Sequence, residues 1–106
     1  MYLVRYGAPD IGAGPHVIAV YDTSSDTILL SQGWQADSPT DVSALVHEMV
    51  HHLQTRAGST YACGEAREAP AYAAQDKWLI AFGSNLEQQF GIDAFTLKLM
   101  TICDLP

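Results

Sequence analysis

Cysteine is scarce in this chain: Cys63 and Cys103 are the only two among 106 residues. Neither belongs to a C-x-x-C pair, which argues against a thiolate-held zinc or a dithiol redox centre. Two arrangements stay open for them, a single disulfide or two buried free thiols. The disulfide would close a loop of about 40 residues and add roughly 3–4 kcal/mol. Positive charge is scarce too. Five Lys and Arg stand against twelve Asp and Glu, for a formal net charge of -7. An acidic surface repels phosphate backbones, so no nucleic-acid partner is expected. No apolar run approaches the length that spans a bilayer, so no membrane segment is expected either. The start, Met1-Tyr2-Leu3-Val4-Arg5, lacks the basic stretch and long apolar core of a signal peptide. That is compatible with a cytoplasmic protein and equally with the mature product of an exported one. Repeats, linkers and low-complexity tracts are absent.

What is present fits one compact domain over residues 1–106, since 48% of residues are hydrophobic and only 16% charged, against the composition of disorder. Tyr2–Tyr6 reads as a short strand, followed by an irregular loop punctuated by Gly7, Pro9, Gly12, Gly14 and Pro15. His16–Tyr21 and Thr27–Ser31 read as a hairpin around the polar turn Asp22–Asp26. A capped helix follows. Ser38 suits the N-cap, Pro39 the first helical position and Asp41 a capping box, and Gly58 suits the stop. Val42, Leu45, Val46, Met49, Val50 and Leu53 form a broad apolar stripe along it. A second helix is expected over about Glu68–Phe82, with Tyr72, Gln75, Trp78, Leu79 and Phe82 at helical spacing. Ser84–Glu87 suits the start of a short third helix ended by Gly91, and Asp93 the cap of a last one carrying Phe95, Leu97, Leu99, Met100 and Ile102. Trp34 and Trp78 read as core anchors and His16 as structural.

The first of these helices contains His47-Glu48-Met49-Val50-His51, an H-E-x-x-H string. Imidazoles four residues apart stand one turn apart on one helical face and can converge on a metal ion. The Glu beside the first His then lies where it can take a proton from a water that the metal activates. His52 points about 100° away from His51 around the helix and should not share the metal. Catalytic zinc needs three protein ligands. No His follows His52, so a carboxylate from the next helix is the remaining standard choice. Glu65 and Glu68 are the candidates, and Glu68 is preferred because seventeen residues beyond His51 suffice to leave the helix, turn and start back.

These motifs resemble a small zincin of gluzincin type. The chain is similar to compact bacterial H-E-x-x-H proteins that also carry a pattern like Cys63-x4-Glu68-x2-Ala71-Tyr72-x2-Gln75, and the likeness spans roughly Thr27 to Phe82. It implies a minimal zincin-like α+β fold, with a small antiparallel sheet or hairpin packed on the H-E-x-x-H helix and two or three further helices after it. The strand before that helix would form the edge of a cleft, to which a substrate peptide adds by backbone pairing. The resemblance further implies Zn²⁺ held by His47, His51 and Glu68, with Glu48 as general base. Three departures stand out. No separate domain forms a far cleft wall. Pro70, two residues after Glu68, places Glu68 at the helix start or just before it. Tyr72 stands where larger relatives carry an Asp that supports a zinc-bound His, so Gln75, Asp76 or a backbone carbonyl must supply that support.

The expected function is zinc-dependent hydrolysis of a peptide or protein substrate. Tyr72, with Tyr61 and His52 behind it, is the candidate donor to the oxyanion. The alternatives are a catalytically inactive, metal-binding recognition module and a purely structural domain. Glu48 favours the enzyme, because holding zinc does not require it whereas hydrolysis does. Substrate specificity and oligomeric state are not written in the sequence.

Overall fold

The computed structural model describes residues 2–5 and 18–104. The expected loop over residues 7–15, Tyr6, and His16 and Val17 of the expected second strand lie outside them. The described chain is α+β. Three strands, β1 (Tyr2–Arg5), β2 (Ala19–Asp22) and β3 (Thr27–Leu30), precede four helices, α1 (Pro39–Ala57), α2 (Gly64–Ala81), α3 (Leu86–Phe90) and α4 (Ala94–Thr101). α1 packs on β2 and β3 on one side and on α2 on the other, while α3 and α4 pack on α2. Among the described residues, no helix is long and apolar enough to cross a membrane.

The expected hairpin forms, with Ala19 opposite Leu30 and Asp22 opposite Thr27. The sheet around it is not the antiparallel one that was expected. β1 pairs parallel with β3, Leu3 opposite Ile28, so the order is β1-β3-β2. β3, the strand just before the helix, is therefore central, and β1 and β2 are the edges. The reason lies in α1, whose Glu48 carboxylate accepts the Tyr21 N–H at 3.0 Å and covers the outer side of β2 at that residue. β1 takes the other side of β3 instead.

Asp26 closes the hairpin turn with φ 51°, a left-handed conformation that Asp tolerates better than most residues. Its carboxylate accepts the Tyr21 hydroxyl at 2.8 Å and meets His52 Nδ1 at 2.8 Å, tying the turn to α1. With the Tyr21 hydrogen bond as the largest cause and His52 a lesser one, Asp26 is held down at about 2 from an ordinary 3.8. A depressed carboxylate contributes stability that is complete above its unfolded pKa and is lost as the pH falls through the folded one. Thermal melts are therefore expected to drop between pH 4 and about 2, and Asp26→Asn to flatten that part of the profile.

Ile28, Leu30 and Trp34 form a buried cluster, with Ile18, Ala19, Tyr21, Val42 and Leu45 packed against them. Trp34 anchors it as expected and donates its indole N–H to the Asp41 carbonyl at 2.8 Å. Trp78 is only half-buried. It stacks near Phe82 and donates to the Pro39 carbonyl at 3.0 Å, fastening α2 to the start of α1.

Both ends of α1 are set locally. Ser38 Oγ accepts the Asp41 N–H at 3.1 Å, and Gly58 ends the helix at φ 65°. Only half of the capping box forms, since the Asp41 carboxylate reaches back to the Gln35 N–H, not to that of Ser38. The buried face departs further from expectation. Val42 and Leu45 meet the sheet core, but Leu53 at the far end of the apolar stripe is 62% exposed and Met49 40%. Ser43, Ala44, His47, His51 and Gln54 are buried instead.

α2 begins at Gly64, well before the expected Glu68, so Glu68 lies inside the helix and Pro70 interrupts its second turn. A proline there removes one backbone hydrogen bond. The early start is held by other means. Cys63, joined to Cys103 in a disulfide, is the N-cap, and its sulfur accepts the Ala66 N–H at 3.3 Å. Arg67 donates to Thr55 Oγ1 at 2.8 Å and the His51 carbonyl at 3.3 Å, while its own carbonyl accepts from Gln54 at 2.8 Å. α3 and α4 follow expectation, with caps at Asn85, Gly91 and Asp93.

Candidate metal centre

α1 and α2 run antiparallel, as the pairings Pro39 with Trp78, Ser43 with Gln75 and Gln54 with Arg67 require. The seam between them brings His47, His51 and Glu68 together. Their ligand atoms all lie within 4.8 Å of one another. Glu68 spans the two rings, with Oε1 at 2.9 Å from His47 Nε2 and Oε2 at 3.0 Å from His51 Nε2. The two Nε2 atoms are 3.3 Å apart. Two imidazole nitrogens and one carboxylate, converging from the polar side of a buried seam, form a donor set that suits a divalent transition metal and zinc in particular. Glu65, the other candidate ligand, is exposed in the first turn of α2 and is not part of this group.

The electrostatics follow from this geometry. Burial pushes the Glu68 carboxyl up, but the hydrogen bonds from His47 and His51 outweigh it and hold it at about 2. Burial pushes His51 down, yet its bonds to Glu68 and Gln54 raise it. Glu48 moves the other way. Burial raises it above the ordinary carboxylate range, against the pull of the two imidazoles. Its Oε2 is 3.9 Å from His47 Nε2, beside the cluster and not in it.

Each ring is held by its other nitrogen. His47 Nδ1 is 2.9 Å from Gln75 Oε1, and His51 Nδ1 is 2.8 Å from Gln54 Oε1. Gln75 was among the residues expected to give this support. Asp76 was as well, but its carboxylate turns away and accepts the Leu86 N–H at 3.0 Å. Gln54 was missed. Its signal was the His51-x-x-Gln54 spacing, which places both side chains on one helical face.

Tyr72 packs edge-on against the His47 ring, centroids 4.5 Å apart, and burial followed by the Glu68 and Glu48 carboxylates raises its hydroxyl pKa. Tyr61 accepts from Gln54 at 3.1 Å, on the flank of Gln54 away from the metal group. His52 faces Asp26 and takes no part in the cluster, as its position on the helix predicts.

Two clefts flank Glu48. One, of ≈180 Å³, is walled by Ile18, Ala19, Tyr72, Phe90 and Ile92 beside His47. The other, of ≈300 Å³, is lined by Tyr21, Thr23, Arg67 and Glu68 beside His51. Phe90 and Ile92, from the end of α3 and the link to α4, give the first cleft a far wall within this chain. No curated protein and no solved structure matches the sequence. A family model described as a domain of unknown function (DUF6647) matches residues 6–105, and the chain belongs to that family.

Proposed function

We propose that this protein is a zincin-like zinc metallopeptidase of gluzincin type. The observation that carries the reading is the convergence of His47, His51 and Glu68 on one point with the Glu48 carboxylate beside it. Zinc bound by these three residues supplies Lewis acidity, acidifying a water and polarising the scissile carbonyl. Glu48 takes the proton from the attacking water as its oxygen bonds to the carbonyl carbon, and returns it to the amine nitrogen as the C–N bond breaks. A raised pKa suits a group that must both accept and donate a proton. Tyr72, whose hydroxyl pKa is raised by burial and then by the two carboxylates, serves as the donor to the developing oxyanion.

The substrate lies along β2. Ser31 N–H donates to the Ile18 carbonyl at 2.9 Å, so in the β2–β3 register Ala19 and Tyr21 direct their backbone groups outward, to the side where Glu48 meets Tyr21. An extended peptide pairs with that edge at Ala19, beside the Tyr21 N–H that Glu48 already holds. The apolar cleft of Ile18, Ala19, Phe90 and Ile92 takes a side chain next to the scissile bond.

Elemental analysis of the purified protein tests the reading. About one zinc per chain is expected, retained in Glu65→Ala and lost in His47→Ala, His51→Ala and Glu68→Ala. Protein without zinc or another transition metal, even after reconstitution, would end the enzyme proposal.

A further inference from the structure

The two glutamines behind the histidines are themselves fixed. A glutamine amide has an accepting end and a donating end, and which end faces a ring decides which ring nitrogen carries the hydrogen. Gln75 Nε2 donates to Ser43 Oγ at 3.2 Å, and the Ser43 hydroxyl hydrogen is already given to the Thr40 carbonyl at 2.6 Å. Ser43 can therefore only accept from Gln75. Gln54 Nε2 donates to the Tyr61 oxygen at 3.1 Å and to the Arg67 carbonyl at 2.8 Å, and a carbonyl only accepts. Gln54 is 6% exposed, Gln75 5% and Ser43 0%, so water cannot replace a lost partner. Rotating the Gln75 amide by half a turn would set two acceptors face to face at Ser43, and rotating that of Gln54 would do the same at the Arg67 carbonyl.

We propose that Gln54 and Gln75 are positioning residues for the metal, fixing His51 and His47 with hydrogen on Nδ1 so that both Nε2 lone pairs are left for the ion that Glu68 also binds, and that Ser43 sets the orientation of Gln75. This rests on the metal reading above and extends it to residues that touch neither metal nor substrate. The support is a neutral amide on each ring, where a carboxylate would add charge and raise ligand basicity. It orients the ring while leaving Glu68 the only anionic ligand of the three. It also explains why α1 buries its polar face: Gln54 bonds the His51 ring directly, and Ser43 bonds the Gln75 amide that meets the His47 ring.

The test uses the full chain, zinc competition against a chromophoric chelator, and long-range proton–nitrogen NMR of the histidine rings in the zinc-loaded protein. Gln54→Met and Gln75→Met keep volume and remove the acceptor. Each is expected to weaken zinc binding about 10- to 100-fold, with Gln75→Glu, which keeps the acceptor toward His47 but loses the donor to Ser43, weakening it less than Gln75→Met. Ser43→Ala releases the Gln75 amide. It is expected to weaken zinc binding and to perturb the hydrogen on His47 Nδ1 while leaving that of His51 in place, a pattern that loss of packing alone would not give. Parent-like affinity in both Met variants, or hydrogen on Nε2 of either ring in the zinc-loaded parent, overturns the inference while the metal reading stands. A parent protein that takes up no zinc overturns both.

Discussion

Glu48→Gln is expected to lower the rate of peptide hydrolysis by about 10²–10⁴-fold, the range for removing a positioned general acid–base, while the protein still holds about one zinc per chain. The substitution keeps the size of the side chain. It also keeps an amide oxygen that can accept the Tyr21 N–H, the bond that carboxylate Oε1 makes at 3.0 Å. What it removes is the ability to take up and release a proton. Glu48 is outside the ligand group, so metal content should not follow activity. Parallel zinc analysis and single-turnover cleavage of a peptide library read the two quantities separately. Loss of zinc with activity would mean that Glu48 supports the metal. Activity that survives the substitution would sink the mechanism, and a protein that binds zinc but cleaves nothing in its parent form would be the recognition module.

The second large effect is on stability. Cys63 and Cys103 are bonded, 40 positions apart. Opening a loop of that size is expected to cost about 3–4 kcal/mol, which for a domain near 100 residues is a fall in Tm of roughly 12–30 °C. Cys63→Ser/Cys103→Ser and reduction with a phosphine should give similar midpoints. The loss is expected to fall first on the start of α2, because Cys63 is its N-cap and Pro70 already costs that helix a backbone bond. Glu68 lies between the two, so zinc affinity should weaken with reduction. A melting temperature that ignores reduction would show that the packing of α4 on α2 suffices without the link.

The legible parts of this chain are the local ones. Ser38, Gly58, Gly91 and Asp93 mark helix ends because each acts on backbone groups within a few residues, and His47 with His51 shares a face because four residues make about one turn. The start of α2 was misplaced because Pro70 is a strong local signal, whereas the clamps that override it come from Cys103, Thr55 and Gln54. The parallel pairing of β1 is likewise a matter of which edge α1 leaves open. Most instructive is the face that α1 buries. Apolar spacing points to Val46, Met49, Val50 and Leu53, yet the helix turns its histidines and Gln54 inward. Periodicity scores each residue alone, and cannot register that a His and a Gln twenty-eight positions apart, such as His47 and Gln75, satisfy each other.

That polar seam makes the site and the helix pairing a single equilibrium. Separating α1 from α2 means breaking both contacts of Glu68 and exposing two amides and two rings together, so these polar contacts give way as a unit. Any species that engages His47, His51 and Glu68 at once acts as a tie between the helices, and by mass action it deepens the folded state by RT ln(1 + [L]/Kd). With zinc as that species, as proposed above, occupancy of the centre and slow amide exchange across the seam would rise and fall together, and the protein's lifetime in a metal-poor medium would be a property of its chemistry as much as of its core.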